Sequence, residues 1–367
     1  MRVALVCPYD LSRPGGVQGQ VLDLARALGE LGHDSLVLAP GSAPPPGPRV
    51  TVVGLGRAVA VPANGSVAPV ALDPRAAARA RRAVRVAGVD VVHLHEPLAP
   101  VAGYGCLLGG KEPTVATFPR AGAGAGYRLL GVLARPAARR LAARCAVSPP
   151  AAATASAVLP GTYEVVGNGV DVERFARATP WPTEGPTVLF VGRHERRKGL
   201  GVLLDAFGRL DETGAVLWVV GRGPQTDALR ARPSAGSRVR WLGTVDDDEL
   251  ASRLAGADVL CAPSLGGESF GMVLAEAMAA RTAVVASDLP GYAFVAGDHA
   301  RLVPPGDAGA LAAALVEMLT DATQATGAAS PGALDAARAH AATWSMARLS
   351  RRYAALYEAV AASAQGG

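Results

Sequence analysis

Two carboxylates, Glu268 and Glu276, stand eight positions apart in a segment that begins with the glycine-rich turn Gly266-Gly267. A helix that opens over residues 269–272 would present its first N–H groups to an anion. Eight residues span a little over two helical turns, so the two carboxylates can contact different parts of one ligand, such as sugar and ribose hydroxyls. The pattern predicts a ligand site; the alternative is a helix cap at Glu268 and a surface ion pair at Glu276.

Cations gather after a strand-like run at residues 188–191. Arg193 and Lys198 follow it, and α/β sheets bind ligands at the carboxyl ends of their strands. Lys111 and Lys198 are the two lysines in a chain whose other basic side chains are arginines. A lysine kept in this background indicates a need for a compact ammonium group, as at a phosphate oxygen. We predict phosphate contacts for Arg193 and Lys198; an exposed basic turn is the alternative.

A pair of glycines, Gly15 and Gly16, precedes a helix predicted over residues 18–31. Adjacent glycines let a ligand approach the backbone at a helix N terminus, where a diphosphate is favoured. A tight turn without a ligand would use the same glycines, so both interpretations stay open. The dinucleotide fingerprint G-x-G-x-x-G is absent from this segment, which argues against a nicotinamide dehydrogenase.

Positioning these residues requires parallel sheets, and strand-like and helix-like segments alternate in two successive series. Parallel doubly wound topology is the economical interpretation. We predict an N-terminal domain over 1–165, a C-terminal domain over 166–343, and a closing helix, 344–362, whose apolar residues at helical spacing need another surface to cover them. Strands are predicted at 3–7, 35–38, 50–53, 89–93, 114–117, 188–191, 216–220, 239–242, 259–261 and 283–286.

Positive charge is concentrated in the first part of the chain. Residues 1–165 contain 17 Lys and Arg against 9 Asp and Glu, a net charge of +8, whereas the remainder carries −3. On charge alone this surface suits an anionic membrane or a nucleic acid, and a solvated arginine face is the third interpretation. The basic segments lack the interleaved aromatic residues that stack on bases. Five arginines fall within one predicted helix: Arg75, Arg79, Arg81, Arg82 and Arg85.

The remaining composition indicates a cytoplasmic protein. No run of about 18 apolar residues is present to span a bilayer. The apolar run at the N terminus is too short for the apolar region of a signal peptide. The four scattered cysteines suggest buried thiols in a reducing compartment. His93 and His95 share one strand face, but no further ligand is near in sequence, so a structural or substrate contact is favoured over a metal site.

At these residues the sequence resembles the family 4 glycosyltransferases, whose signature is a Glu, seven residues and a second Glu, here Glu268 and Glu276. The resemblance covers nearly the whole chain and is nearest to actinobacterial phosphatidylinositol mannosyltransferases. It implies the GT-B fold, an α/β architecture of two facing Rossmann-like domains with a deep interdomain cleft, in which the closing helix 344–362 would pack back on the first domain. It also implies retaining transfer of mannose from GDP-mannose to the inositol of phosphatidylinositol. The segments that match this subgroup are residues 7–9, 14–18, 64–67, 93–97 and 266–271.

The resemblance assigns donor roles to individual residues. Arg193, Lys198 and Glu268 would be catalytic, with the two cations and Gly16 at the diphosphate and Glu268 at the mannose. Glu276 would bind the ribose. No tightly bound cofactor is implied, and a divalent cation such as Mg²⁺ is left open. The other donor contacts would be Val245 and Asp247 near the guanine, and Ser269, Phe270, Gly271 and Met272.

The resemblance also assigns an acceptor site and a membrane contact. The arginine-rich helix would dock on an anionic phospholipid surface at the inner face of the cell membrane, and no nucleic acid partner is implied. The acceptor contacts would be Tyr9, Gln18, Asn64 and Ser66.

Several departures from the family pattern fall on the acceptor side. Pro119 stands where family members carry a histidine near the reacting sugar, and Ala63 and Pro69 replace a tyrosine and an arginine that assist inositol-phosphate binding. The segment 121–126 replaces a threonine-rich loop, and on the donor side Leu250 replaces a basic residue near the base. Two alternatives therefore stay open: a related transferase with another acceptor, such as another cyclitol or a small metabolite, and a catalytically silent paralogue that binds a membrane or a partner protein.

Overall fold

The computed structural model describes residues 1–13, 15–63, 66–99, 101–210, 213–232 and 236–365, with the backbone alone for 61–63 and 66–68. The chain divides into two compact units. The first comprises Met1–Gly169 and the chain from Met346 onward, and the second comprises Val170–Ser345. Among the described residues, no helix is both long and apolar enough to cross a membrane.

The first unit is built on a parallel sheet of seven strands, with a separate antiparallel hairpin. In chain order its strands are β1 (Arg2–Val6), β2 (Asp34–Ala39), β3 (Val50–Gly54), β4 (Val59–Ala63), β5 (Ser66–Val70), β6 (Val91–His95), β7 (Thr114–Phe118), β8 (Leu141–Ala146) and β9 (Glu164–Val165). The sheet has the order β3-β2-β1-β6-β7-β8-β9, and β4 pairs with β5. The order reverses between β1 and β6, so the loops that follow these two strands leave the sheet side by side.

Apolar residues on both faces of the central strands explain this sheet, because each face is covered by helices. Alternate side chains of β1 enter different layers: Ala4 and Val6 join one buried cluster, and Val3 and Leu5 join another. Asp73 caps the second helix by accepting a hydrogen bond from the Arg75 N–H at 2.8 Å. The helices here are α1 (Gly16–Glu30), α2 (Pro74–Ala87), α3 (Ala102–Gly109), α4 (Ala125–Ala138) and α5 (Pro149–Val158).

The second unit repeats this architecture on a parallel sheet of six strands. Its strands are β10 (Thr187–Val191), β11 (Val216–Val220), β12 (Val239–Gly243), β13 (Val259–Ala262), β14 (Ala283–Ser287) and β15 (Arg301–Val303). Their order is β12-β11-β10-β13-β14-β15, so the reversal lies between β10 and β13. The helices are α6 (Val172–Arg177), α7 (Leu200–Phe207), α8 (Thr226–Arg230), α9 (Asp247–Gly256), α10 (Met272–Ala279), α11 (Pro290–Ala296), α12 (Ala308–Gln324) and α13 (Pro331–Ala341).

The last helix, α14 (Met346–Gln365), belongs to the first unit. Its residues Leu349, Tyr353 and Tyr357 are buried in the same apolar cluster as Leu24 and Leu28 of α1. The helical spacing of these residues gives α14 one apolar face, and that face completes the layer that α1 begins.

The elements differ from the sequence expectation in a few places. Strand β6 lies two residues later than predicted, and α1 begins at Gly16 rather than at residue 18. The hairpin β4–β5 and the strands β8, β9 and β15 were not predicted. Strand β8 has few β-branched residues and is only partly buried, so it lacks the apolar pattern that identifies a central strand.

Candidate functional site

Two loops meet at the carboxyl edge of the second sheet. One follows β10 and contains Arg193 and Lys198, and the other follows β13 and contains Glu268. Because β10 and β13 are neighbours where the strand order reverses, their loops border the crevice in which open α/β sheets bind ligands. The fold therefore brings together two segments that are about 70 residues apart in sequence.

Glu268 is held by two cations and a hydroxyl. Arg197 Nη1 and Lys198 Nζ each lie 2.8 Å from Glu268 Oε1, and Ser264 Oγ donates to the same oxygen at 3.2 Å. The side chain of Glu268 is only 10% exposed. Burial strengthens these charge-assisted hydrogen bonds and fixes the direction of the carboxylate.

A second carboxylate links the cations to one another. Glu195 is buried, and its Oε1 lies 2.9 Å from Arg193 Nη2 while its Oε2 lies 3.3 Å from Arg197 Nε. Three cations and two carboxylates thus form one network, which keeps a formal positive charge of one. Because its positive charge is not fully cancelled, the network can attract and bind an anion such as a phosphate.

Arg197 is a residue that sequence reasoning missed. It lies in a short 3-10 helix, Arg196–Lys198, in which three basic residues follow one another. Arg196 is exposed, whereas Arg197 turns inward to both carboxylates. Residue type cannot separate two adjacent arginines, so the only signal was their shared position after a strand.

Glycines allow the two loops to approach. Gly199 has a φ of 71°, and a Cβ at this position would overlap the carbonyl oxygen of Pro263. Gly271, with a φ of 103°, caps α10 in the left-handed region, and a Cβ there would strike the Tyr292 ring. No other residue type adopts these conformations at these distances without strain.

A chain of two hydrogen bonds, from Tyr292 to Ser264 and from Ser264 to Glu268, holds the Glu268 carboxylate in place. Ser264 Oγ lies 2.9 Å from the hydroxyl of Tyr292, which is buried in α11. Because Ser264 donates to Glu268, Tyr292 donates to Ser264. Burial, followed by the charge of Glu268, raises the pKa of Tyr292, so its hydroxyl remains a donor at neutral pH.

The segment after Glu268 combines half-buried residues with one buried aromatic side chain. Ser269, Gly271 and Met272 are half-buried at the start of α10, and Glu276 is half-buried one turn further on. Phe270 is 3% exposed, and its ring packs edge-on against Trp344 at 5.2 Å. The Phe270 side chain therefore belongs to the core, and a donor contact at this position would use its backbone.

The structure does not bring the two predicted base contacts into the ion network. Val245 is half-buried after β12, and Asp247 is exposed at the first residue of α9. Asp247 Oδ2 pairs with Arg174 Nη1 at 2.9 Å. A contact between Asp247 and a base would have to compete with this ion pair.

In the first unit, three of the predicted site residues lie in or next to the loop that follows β1. Gly16 is exposed at the first residue of α1, and Tyr9 is half-buried. Gln18 is buried, and its Nε2 donates to the carbonyl oxygens of Asp10 and Arg13 at 3.4 and 3.3 Å, so its amide holds the loop together. Asn64 lies outside the described residues, as does the side chain of Ser66.

The two histidines of β6 are buried. His93 Nδ1 lies 2.7 Å from the Tyr357 hydroxyl, and His93 Nε2 lies 2.7 Å from the Thr117 hydroxyl. Burial lowers the pKa of His93 well below its ordinary value and that of His95 to about 3, so both rings are neutral at pH 7. The contacts of His93 connect β6 to α14, which is a structural role.

The arginines of α2 fall into two groups. Arg79 donates to the Leu55 carbonyl and pairs with Asp73, and Arg81 pairs with Glu112 at 2.8 Å. Because these two guanidinium groups already have partners within the unit, they are less available to bind lipid headgroups. The members whose side chains are exposed and make no hydrogen bond or ion pair within the described residues are Arg75, Arg82 and Arg85.

Comparison with known proteins identifies the family. Residues 14–174 match the family model Glycosyltransferase Family 4, and residues 185–321 match the model Glycosyl transferases group 1. The phosphatidyl-myo-inositol mannosyltransferase of Mycolicibacterium smegmatis is 42% identical over 88% of this chain and 85% of its own. The chain belongs to the family 4 glycosyltransferases. The similarly named protein of Propionibacterium freudenreichii is 39% identical to this glycosyltransferase over 83% of this chain and 81% of its own.

Solved structures of other proteins share the fold of this glycosyltransferase. Sucrose-phosphate synthase from Thermosynechococcus elongatus is 22% identical, with a TM-score of 0.78 and 99% of each chain covered. Anabaena HepE in complex with UDP-glucose is 19% identical, with a TM-score of 0.78 over 98% of this chain and 100% of its own. At these identities the likeness concerns the fold alone, and it confirms the GT-B class with two Rossmann-like units.

Proposed function

We propose that this glycosyltransferase moves mannose from GDP-mannose to the inositol of phosphatidylinositol, with retention of configuration. Relatives that are about 40% identical along most of the chain carry the name phosphatidyl-myo-inositol mannosyltransferase. The observation that carries the proposal is the contact of Lys198 and Arg197 with Glu268 at the carboxyl edge of β10 and β13. A carboxylate for sugar hydroxyls lies there beside cations for a diphosphate.

In this proposal different residues of the site bind different parts of the donor. Within the described residues, the ion pairs and hydrogen bonds of the Glu268 side chain converge on Oε1, so we assign Oε2 to a mannose hydroxyl. Arg193 and Lys198 stabilise the negative charge that grows on the leaving diphosphate, and Glu276 takes the ribose. Preorganised donors of this kind contribute several kcal/mol, about 3 for one well-placed group.

Retention follows if the acceptor hydroxyl attacks from the face that the diphosphate leaves. The C1–O bond to the diphosphate breaks, the bond from the acceptor oxygen forms on the same face, and the acceptor proton passes to the departing phosphate oxygen. No covalent intermediate on a protein carboxylate is required. Since Arg193, Arg197 and Lys198 supply the positive charge, we propose that no tightly bound cofactor is needed. Activity retained in EDTA would support this, and a metal that stays bound through EDTA treatment and is required for activity would contradict it.

A membrane surface is the proposed location of the acceptor. The exposed arginines of α2 can meet anionic headgroups. The outer side of α4 adds exposed apolar area, because Leu129, Val132 and Leu133 are 61%, 50% and 67% exposed. We propose the cytoplasmic face of the membrane, because that leaflet is rich in anionic lipids.

The test is transfer by the purified chain. Labelled GDP-mannose, GDP-glucose and UDP-glucose would each be incubated with phosphatidylinositol in mixed micelles, and the product would be identified by mass spectrometry. We expect a mannosylated lipid from GDP-mannose, with an α linkage in its NMR coupling constants. Absence of any lipid product from active donor-binding protein would contradict the acceptor, and a β linkage would contradict retention.

A second candidate is the same donor chemistry with another acceptor. Pro119, half-buried after β7, offers no side-chain donor or acceptor where the family pattern has a histidine. The same assay with soluble cyclitols and small metabolites separates the candidates. Mannosyl transfer to one of these, without transfer to the lipid, would favour the second. Donor binding without any transfer would favour the silent paralogue.

A further inference from the structure

Glu96 is a buried carboxylate at the edge of the first sheet that donor binding does not use. It is the first residue after β6 and has a left-handed φ of 51°. Its N–H donates to the carbonyl oxygen of Thr117 at 2.9 Å, and its own carbonyl oxygen accepts from the Ala99 N–H at 2.9 Å. The backbone on both sides of Glu96 is therefore fixed, and this fixes the direction of the side chain.

One oxygen of the Glu96 carboxylate, Oε1, has no hydrogen-bond partner among the described residues. The residue is 7% exposed, and Oε1 is buried without a hydrogen bond. Buried acceptors are normally satisfied, so an orphan oxygen indicates a ligand or a water that completes it. The hydroxyl of Tyr127, in the first turn of α4, is a second buried group without a partner in the described chain.

Four side chains from adjacent elements gather around this point. Tyr9 follows β1, Glu96 follows β6, Arg120 follows β7, and Tyr127 lies in α4. The Arg120 guanidinium carbon lies 4.8 Å from the centroid of the Tyr127 ring. Burial and then the charge of Glu96 raise the pKa of Tyr9 and of Tyr127. Burial raises the pKa of Glu96 to about 7, and the charge of Arg120 opposes this rise, so the four groups share one electrostatic environment.

The position of this cluster is that of a binding site. Strands β1, β6 and β7 are neighbours, and the strand order reverses between β1 and β6. Ligands of open α/β sheets bind outside the carboxyl ends of the strands at such a reversal. Gly15 and Gly16 open α1 from the same edge, because α1 follows the loop after β1.

The chemistry of the cluster selects a ligand rich in hydroxyl groups. A carboxylate accepts hydrogen bonds from hydroxyls, and a phenol hydroxyl can donate or accept. A metal ion would be disfavoured by Arg120 beside a single carboxylate. Adjacent hydroxyls on a cyclitol ring can satisfy Glu96 and Tyr127 together.

We propose that Glu96 and Tyr127 bind hydroxyl groups of the acceptor ring and so determine acceptor specificity. The inference rests on the proposed function, and it supplies a contact that compensates for Pro119. It also predicts a polyol as the acceptor class even if the lipid portion differs.

Steady-state kinetics of matched variants test the proposal. Glu96→Gln is compared with Glu164→Gln, which alters an exposed carboxylate paired with Arg352 in the same unit. Tyr127→Phe is compared with Tyr163→Phe, whose hydroxyl donates to the Leu159 carbonyl. Circular dichroism and thermal melting establish that each variant is folded.

We expect Glu96→Gln to raise the acceptor KM by about tenfold or more and Tyr127→Phe by about fivefold. The donor KM and the hydrolysis of donor without acceptor should stay within about twofold of wild type. The two control variants should match wild type in every constant. Unchanged acceptor KM in both test variants, with normal turnover, would overturn the inference and leave the proposed function intact.

A binding experiment distinguishes failure of the acceptor-site inference from failure of the proposed transfer reaction. Calorimetric titration of the full chain with glycerophosphoinositol and with myo-inositol needs no turnover. If wild type transfers nothing but binds either polyol, and Glu96→Gln weakens that binding by about tenfold, the inference stands while the proposed function fails. If wild type binds neither polyol, the inference is overturned.

Discussion

At the residue scale, the donor site depends on which cation touches which carboxylate. Arg197 contacts both Glu195 and Glu268, while Arg193 contacts Glu195 and Lys198 contacts Glu268. Arg197 is therefore the bridge of the network. Its removal would leave two buried carboxylates with less compensation and would shift Glu268 away from the geometry that a sugar hydroxyl requires.

Arg197→Ala should lower kcat/KM by about 100-fold. The matched control is Arg196→Ala, which removes an exposed neighbour in the same 3-10 helix and should change kcat/KM by less than about twofold. The measurement is initial-rate transfer at several donor concentrations. Equal losses in the two variants would show that overall positive charge, and not the bridge, sets the rate.

Lys198→Ala and Glu268→Ala should each sharply reduce transfer, because they remove the two ends of the same contact. Lys198 would lose its action on the diphosphate, and Glu268 its contact with the sugar. Turnover close to wild type in either purified variant would contradict the assignment of both residues.

Glu96 should make stability depend on pH. Burial raises its pKa from an ordinary value of 4.5 to about 7 against the opposing charge of Arg120, and Tyr9 and Tyr127 lie in the same environment. A carboxyl whose folded pKa is raised contributes stability that is complete below pH 4.5 and is lost as the pH rises through 7. Relative to Glu96→Gln, wild type should lose about 3 kcal/mol between pH 4.5 and pH 8. Urea unfolding of both proteins at the two pH values measures this, and parallel pH profiles would refute it.

At the element scale, the start of α10 depends on one backbone conformation. Gly271 has a left-handed φ, and its Cα faces the Tyr292 ring, which in turn holds Ser264 and Glu268. The cap of α10 and the aim of the Glu268 carboxylate are thus coupled through Tyr292.

Gly271→Ala should reduce both stability and transfer. The added Cβ meets the Tyr292 ring and the φ is strained, so a loss of about 1–3 kcal/mol is expected. Gly332→Ala in α13 is the control, because that position has open space and no positive φ, and it should be neutral or slightly stabilising. Chemical denaturation and initial rates are measured together; a stable Gly271→Ala with full activity would show that the cap is dispensable.

Sequence alone predicted those elements whose residue pattern is strong and fits only one kind of secondary structure. Central strands such as β10 have continuous apolar runs, and residues 192–199 follow one of them, so Lys198 could be placed at a sheet edge. The partners could not be predicted, because Glu195, Ser264 and Tyr292 reach Glu268 only through the parallel pairing of β10 with β13. The motif also did not show that the side chain of Phe270 is buried in the core.

At the scale of the whole molecule, the surface of the first unit combines charge with apolar area. Arg75, Arg82 and Arg85 are exposed on α2, and Leu129 and Leu133 are exposed on α4. Both helices contribute to the same buried cluster, so they cover one face of the sheet. A surface of this composition suits the headgroup region of an anionic bilayer.

The double variant Leu129→Ser with Leu133→Ser should weaken binding to phosphatidylinositol-containing vesicles by about tenfold or more. Val316→Ser, at an exposed apolar residue of α12 in the other unit, is the control and should bind as wild type does. Sedimentation with vesicles at low and high salt is the measurement. Unchanged binding by the double variant would restrict the membrane contact to the arginines.

The path of the chain between the units has its own consequence. Val170, where the second unit begins, donates its N–H to the Trp344 carbonyl oxygen at 2.8 Å and bridges Ser345, where that unit ends. For engineering, residues 170–345 form a contiguous cassette whose entrance and exit lie side by side. Because the cassette has its own core, it should fold when expressed alone and retain affinity for GDP, and the first unit should tolerate a short linker in its place.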